Sequence, residues 1–281
     1  MKSNRLLYIF LIFFISNFSL YANTLSEIKA KNEIRIGVRN AFPPFSELKD
    51  DSFHGFEVEL AKEIGKSILG PTGKVTLVGV DVKDRIPKLN DNIVDLIVAN
   101  FSVTEERKKY VDVSIPYFSD NMAIVTPKKL GVKKLSDMNF KKIGYLVGTT
   151  SQEYIEDNPK DFANIETVAC ENSYQCFQLL KNGEIDGYFH TIFALGVIPI
   201  LDNDFIISIP AIGKPSFMSV AVAKDNKKLL KQVDRAILEL SRDGFFKRAY
   251  DETFNTYYKG TLDRKYFLLD DIYNIFTMTN K

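Results

Sequence analysis

Residues 98–118 read VANFSVTEERKKYVDVSIPYF: an apolar opening, then Asn100, Ser102 and Thr104 ahead of a Glu-Glu-Arg-Lys-Lys cluster. Short hydroxyl and amide side chains, followed three residues later by Arg107, admit two chemistries. One is structural: Thr104 caps a helix with Glu105 and Glu106 in its first turn, and Arg107 is solvated. The other is an anion clamp, in which hydroxyls and a planar guanidinium hold a small carboxylate. A second such stretch is Gly148-Thr149-Thr150-Ser151, too short for a phosphate loop. It can cap a helix, or its backbone N–H groups at Gly148 to Ser151 can face a cleft and bind an anion.

Other chemistry is sparse. No P-loop, dinucleotide fingerprint, nucleophile elbow or metalloprotease helix motif occurs. His54 and His190 are the only histidines, and neither stands at ligand spacing from a cysteine, so no metal site and no cofactor is expected. Nothing in the sequence orients His190 as a general base, and it reads as a structural histidine. The acids are spread along helices as solvated faces, and no catalytic residue is assigned. Cys170 and Cys176, six residues apart, can bridge in an oxidising compartment or remain two buried thiols.

Strands and helices must carry these residues to one place, and the pattern alternates accordingly. EIRIGV, KVTLVGV and IVDLIVANF read as strands, the last continuous in its apolar character as a doubly covered parallel strand should be. Between them, GFEVELAKEIGKSI sets Phe56, Leu60, Ile64 and Ile68 on one helical face, and a second helix follows Asp84 as capping acid. The alternation restarts with MAIVT, KKIGYLV, IETVAC and IDGYFH as strands and SYQCFQLLKNG as a helix ending at Gly183, and MSVAVAKD follows. The expected fold is α/β with two lobes: residues 23–117, residues 122–213, and residues 219–260 returning to the first lobe. The crossings fall near 117–121 and 214–218, and residues 261–281 form an amphipathic tail. Ligands of open α/β sheets sit outside the carboxyl ends of the strands. Residues 39–45, 100–107, 148–151 and 190–191 all follow strands, two segments per lobe, and can meet in one cleft.

The N-terminus reads as an export signal, residues 1–22. Lys2 and Arg5 precede an apolar run over residues 6–18, and Ala22 is a small residue at a cleavage site. About a dozen apolar residues fall short of the roughly 20 a membrane helix needs; the alternative is a retained anchor. With 37 basic against 36 acidic side chains, the chain has no general field for nucleic acid or anionic lipid.

Taken together, IRIGVRNAFPPFSE, GFEVELAKEI, VDLIVANFSVTEERKKYVDVSIPYF and VGTTSQEY resemble the bacterial extracellular solute-binding proteins of polar amino acid ABC transporters. The resemblance covers nearly all of the chain after the signal, and cysteine-binding and aspartate/glutamate-binding members look most similar. It implies a periplasmic-binding-protein-like (type II) fold, two lobes on a two-stranded hinge closing over a ligand. It implies a monomer in the periplasm that delivers a small amino acid or carboxylate to a permease in the inner membrane. By the same resemblance Arg107 clamps the ligand carboxylate with Ser102 and Asn100 beside it, and Thr149 and Thr150 close from the second lobe. Phe42 packs on the ligand and Phe45 supports its loop. Arg85 and Arg39 fall where acidic-ligand binders place cations. Thr191 stands where the family usually has an Asp for the ligand ammonium, a departure that puts the ligand's identity in question. The competing readings are an exported enzyme on the same fold, similar to cyclohexadienyl dehydratases, and a ligand sensor for a membrane receptor.

Overall fold

The computed structural model describes residues 22–259. All of the signal segment but Ala22, and the tail over residues 261–281, lie outside the described residues. The strands, in chain order, are β1 (Glu33–Arg39), β2 (Ala41–Phe42), β3 (Ser46–Lys49), β4 (Ser52–His54), β5 (Lys74–Val80), β6 (Leu96–Ile97), β7 (Val111–Pro127), β8 (Lys142–Leu146), β9 (Glu166–Cys170), β10 (Gly187–Thr191) and β11 (Phe205–Ala223). Eight form one sheet in the order β5-β1-β6-β11-β7-β10-β8-β9, and β2, β3 and β4 form a small antiparallel one.

Parallel pairing holds at both ends of the large sheet, between β1 and its neighbours β5 and β6, and between β8 and its neighbours β9 and β10. Between these two α/β halves stand β7 and β11, antiparallel to each other. At roughly 3.3 Å per residue, strands of 17 and 19 residues are long enough to run through both lobes. Midway along them Phe118 pairs with Met218, Ser119 with Phe217 and Asp120 with Ser216. Register shifts interrupt the ladder on both sides of these pairs, so the connecting strands bend there.

The helix Phe56–Leu69 buries Phe56, Leu60, Ile64 and Ile68, the face its periodicity indicates. It starts at Gly55, whose φ of +124° suits glycine, and a Cβ there would lie 2.6 Å from the Phe45 carbonyl oxygen. Phe45 itself is fully buried, as expected of a supporting residue. Its ring meets Phe254 at 4.8 Å, Phe118 at 5.1 Å and Phe193 at 5.9 Å, so one aromatic cluster draws in both lobes and the C-terminal helices.

Two expectations are corrected. The strand read over IVDLIVANF is only two residues long, β6, because the backbone turns out of the ladder at Asn100 (φ 48°). The helix after Asp84 exists, Arg85–Asn90, but the Asp84 carboxylate makes no capping bond. Asp84 closes a 3-10 turn, and its φ of −93° and ψ of −10° are already helical, whereas a side-chain cap needs an extended backbone.

Cys170 and Cys176 form a disulfide joining the end of β9 to the helix Ser173–Asn182. A loop this short restrains the unfolded chain modestly, by about 2 kcal/mol in the loop-entropy treatment. The double variant Cys170→Ser/Cys176→Ser is expected to melt about 4–8 °C lower. An unchanged melting temperature by calorimetry contradicts that.

Candidate functional site

The turn after β6 builds the first wall of the site. Asn100 leaves the ladder and donates its backbone N–H to Glu57 Oε1 at 2.7 Å. Ser102 forms an isolated bridge with Met218, and the Thr104 hydroxyl then accepts from the Arg107 N–H at 3.2 Å to cap the helix Glu105–Lys108. The capping half of the structural reading therefore holds, but Arg107 is not solvated: it is only 7% exposed. Its Nη1 donates to the Ser102 carbonyl and its Nη2 to Glu153 Oε1, each at 3.0 Å, and its guanidinium lies 5.4 Å from the Phe101 ring centroid. Glu153 belongs to the helix Thr150–Asp157 of the other lobe, so this ion pair spans the cleft.

Arg85 shares the Phe101 ring, at 5.3 Å, and is held by the carbonyls of Val82, Ala99 and Asn100. Burial, and after it the guanidiniums of Arg107 and Arg39, press its pKa downward. Arg39 ends β1 with its guanidinium 5.8 Å from the Phe42 ring, which stacks on Phe45 at 5.0 Å. The Arg39 Nε is buried and unpaired.

The second lobe contributes the turn after β8. Gly148 takes φ +70°, and the Thr149 hydroxyl donates to the Leu146 carbonyl at 2.7 Å while capping the helix Thr150–Asp157. The idea that all four N–H groups from Gly148 to Ser151 face an anion is corrected. Gly148 gives its N–H to Gln152 Oε1 and Ser151 gives its own to Thr149 Oγ1, because satisfying a helix start comes first. Thr191 ends β10 with its hydroxyl turned towards the buried carboxyl of Asp120, without reaching hydrogen-bond geometry.

Arg39, Phe42, Arg85, Asn100, Ser102, Arg107, Thr149, Thr150 and Thr191, the whole set expected from sequence, line one cavity between the lobes. Its volume is about 40 Å³, room for about three waters, so the lobes must part to admit anything as large as an amino acid. Ser173 and His190 also line it: Ser173 was not anticipated, and His190 was placed at the cleft with its strand end but given no ligand-binding role. For His190 the signal was its place at a strand end. A larger depression of about 690 Å³ lies on the second lobe around Lys128, Lys181 and Asp202. There Lys181 pairs with Asp202 at 3.6 Å and Lys128 donates to Asn203 Oδ1 at 2.6 Å, and the depression lacks the convergent buried donors of the cleft.

Besides the arginines, one buried ionisable group, His190, stands in the wall, and two buried carboxyls, Glu57 and Asp120, lie outside the lining. Burial raises Glu57 to about 7, although Tyr117 and the Asn100 N–H both bond its carboxylate. Burial likewise raises Asp120 to about 7. His190 accepts the Thr191 N–H on Nδ1 at 2.7 Å, and burial, then Arg39, lower its pKa to about 4. A histidine depressed from its ordinary 6.5 stabilises the fold fully above that pH and loses the contribution as pH falls towards 4. The expected size is about 3 kcal/mol over that window, at about 1.4 kcal/mol per pH unit. His190→Gln should therefore show a shallower acid limb of unfolding free energy. Parallel curves for the two proteins from pH 6.5 to 4 would refute this.

A two-lobed α/β molecule with a small polar cavity between the lobes has the architecture of a small-ligand binder. Residues 34–256 match the family described as bacterial extracellular solute-binding proteins, family 3, and the chain belongs to it. It is 28% identical over 241 residues to the ABC transporter arginine-binding protein 1 of Escherichia coli, covering 84% of this chain and 96% of that one. It is 30% identical over 242 residues to the ABC transporter glutamine-binding protein of Bacillus subtilis, covering 84% and 85%. Among solved structures, the cysteine-binding protein of Campylobacter jejuni superposes with a TM-score of 0.77 at 30% identity, covering 86% of this chain and 96% of that one.

Proposed function

We propose that this chain is the exported, periplasmic solute-binding component of an ABC transporter, which closes over a small polar amino acid or related carboxylate and delivers it to an inner-membrane permease. The observation that carries this is the meeting of Arg107 and Ser102 from one lobe with Thr149 and Thr150 from the other around one cavity. Arg107 takes the carboxylate, Phe42 packs on the ligand body, and Arg85, Arg39, Asn100 and Thr191 set its remaining polar contacts. The lobes are residues 23–117 with 219–260, and residues 122–213, and the chain works as a monomer. Closure excludes water, so each charge-assisted bond gains strength from a lower local dielectric. Binding rather than catalysis is supported by His190, the one neutral base in the cavity wall, whose pKa near 4 makes it a weak proton acceptor at neutral pH.

A thermal-shift screen over amino acids and dicarboxylates tests the reading. A ligand at about 100 times its Kd adds about 2.7 kcal/mol, or roughly 5–10 °C at this chain length. Small-angle scattering with that ligand should report a smaller radius of gyration. Chemical turnover of a bound compound, or the absence of any shift across the screen, would overturn it.

A further inference from the structure

Three arginines line the cavity, Arg39, Arg85 and Arg107, and no carboxylate does. Each acid near these guanidiniums stands outside the lining; Asp81, which acts on Arg39, accepts from Asn40 Nδ2 at 3.1 Å. Glu57 lies wholly buried behind the wall, bonded by Tyr117 and the Asn100 N–H. Asp120, also wholly buried, receives the Asn121 N–H at 2.8 Å and faces the start of the helix Ile192–Leu195, whose Ile192 and Phe193 N–H groups help to hold its charge. Glu153 approaches Arg107 from the far side, in a separate recess with Val82, Lys83 and Gly148, and remains outside the cavity lining.

Among the unpaired atoms, the nitrogen donors that belong to the wall carry the same message, while the unpaired carboxyl oxygens, Glu57 Oε2 and Asp120 Oδ2, belong to residues outside the lining. Arg39 Nε and Asn100 Nδ2 are buried N–H donors with no acceptor among the described residues, and they belong to residues of the cavity wall. A buried donor left unmet is costly, and a cavity closed over several guanidiniums is more so. Both costs fall if the ligand brings acceptors and negative charge. An ammonium does the reverse: it adds a positive group to a positive wall and finds no carboxylate in the lining to receive it.

We infer that the cavity selects a small ligand with two acidic groups and that an amine is dispensable to its recognition. The inference rests on the solute-binding reading above and names the substrate class of that site. One carboxylate sits on Arg107, and the second lies between Arg39 and Arg85, where Asn100 Nδ2 can donate to it. Thr191 and Ser173 cover the ligand from the second lobe with hydroxyl groups, which bring no charge of either sign.

Calorimetric titration of the exported protein at neutral pH, with glutarate, succinate, L-glutamate, L-aspartate, L-glutamine, L-cysteine and L-arginine as separate probes, decides the matter. A five- or four-carbon diacid is expected to bind within about tenfold of the amino acid of equal length, since the amine earns no charged partner. L-glutamine should bind at least about 30-fold more weakly than L-glutamate, the loss expected when a buried charge partner is removed. Arg39→Gln should narrow that glutamate-to-glutamine ratio. Tightest binding by L-glutamine, L-cysteine or L-arginine overturns the inference while leaving the solute-binding reading intact. So does a diacid that fails to bind where its amino acid does, or an unchanged ratio in Arg39→Gln. Failure of all seven probes overturns the inference, and only failure across the wider thermal-shift screen overturns the solute-binding reading as well.

Discussion

Arg107→Ala is expected to weaken binding of the best ligand in the screen by about 2–5 kcal/mol, roughly 30- to 5,000-fold. The size follows from burial: a carboxylate that has left water for this cavity would lose the guanidinium that meets it, the same one that bonds the Ser102 carbonyl and Glu153. Arg107→Lys should also lose at least about tenfold. A guanidinium can serve the Ser102 carbonyl, Glu153 and a ligand at once through separate N–H groups arranged in a plane, and an ammonium on a flexible stem cannot. Calorimetry on both variants, with melting curves to confirm that they fold, provides the check. Near-native affinity in Arg107→Lys would remove Arg107 from the clamp.

Phe45→Ala is expected to cost about 3–5 kcal/mol of stability, the range for deleting a buried aromatic ring. Phe45 is fully buried and touches rings from four other parts of the chain: Phe56, Phe118, Phe193 and Phe254. These elements come from both lobes and the C-terminal helices, so little of the resulting cavity can be filled by collapse of one segment alone. The variant should also bind ligand less well, because Phe45 is the surface on which Phe42 stacks. Denaturant unfolding gives the first quantity and calorimetry the second. A loss below about 1 kcal/mol would mean that the cluster repacks.

Much of the site was legible in sequence because its positions are set by local rules. Strand-end segments are recognisable from where apolar runs stop. Thr104 announces a helix start through the chemistry of its own side chain and caps as read, and the Thr149-Thr150 pair announces another, where Thr149 proves to be the cap. The Phe56 face follows from helical periodicity. Once the chain is taken as two α/β lobes, topology brings those strand ends to one cleft.

Properties that depend on through-space neighbours lay beyond any such rule. Whether Arg107 is a solvated charge or a buried one depends on Glu153, 46 residues away on the other lobe. The brevity of β6 depends on Glu57, 43 residues earlier, which takes the Asn100 N–H as the backbone turns out of the ladder. Burial turns Glu57, Asp120 and His190 from ordinary titrating groups into shifted ones, and only packing on every side produces burial. Sequence alone determined which residues stand at the ends of the elements, because a cap or a periodic face reports on its nearest few neighbours. Tertiary structure alone decided which of them lose water and which charges they then face, because the energy of a buried charge is set by everything packed around it.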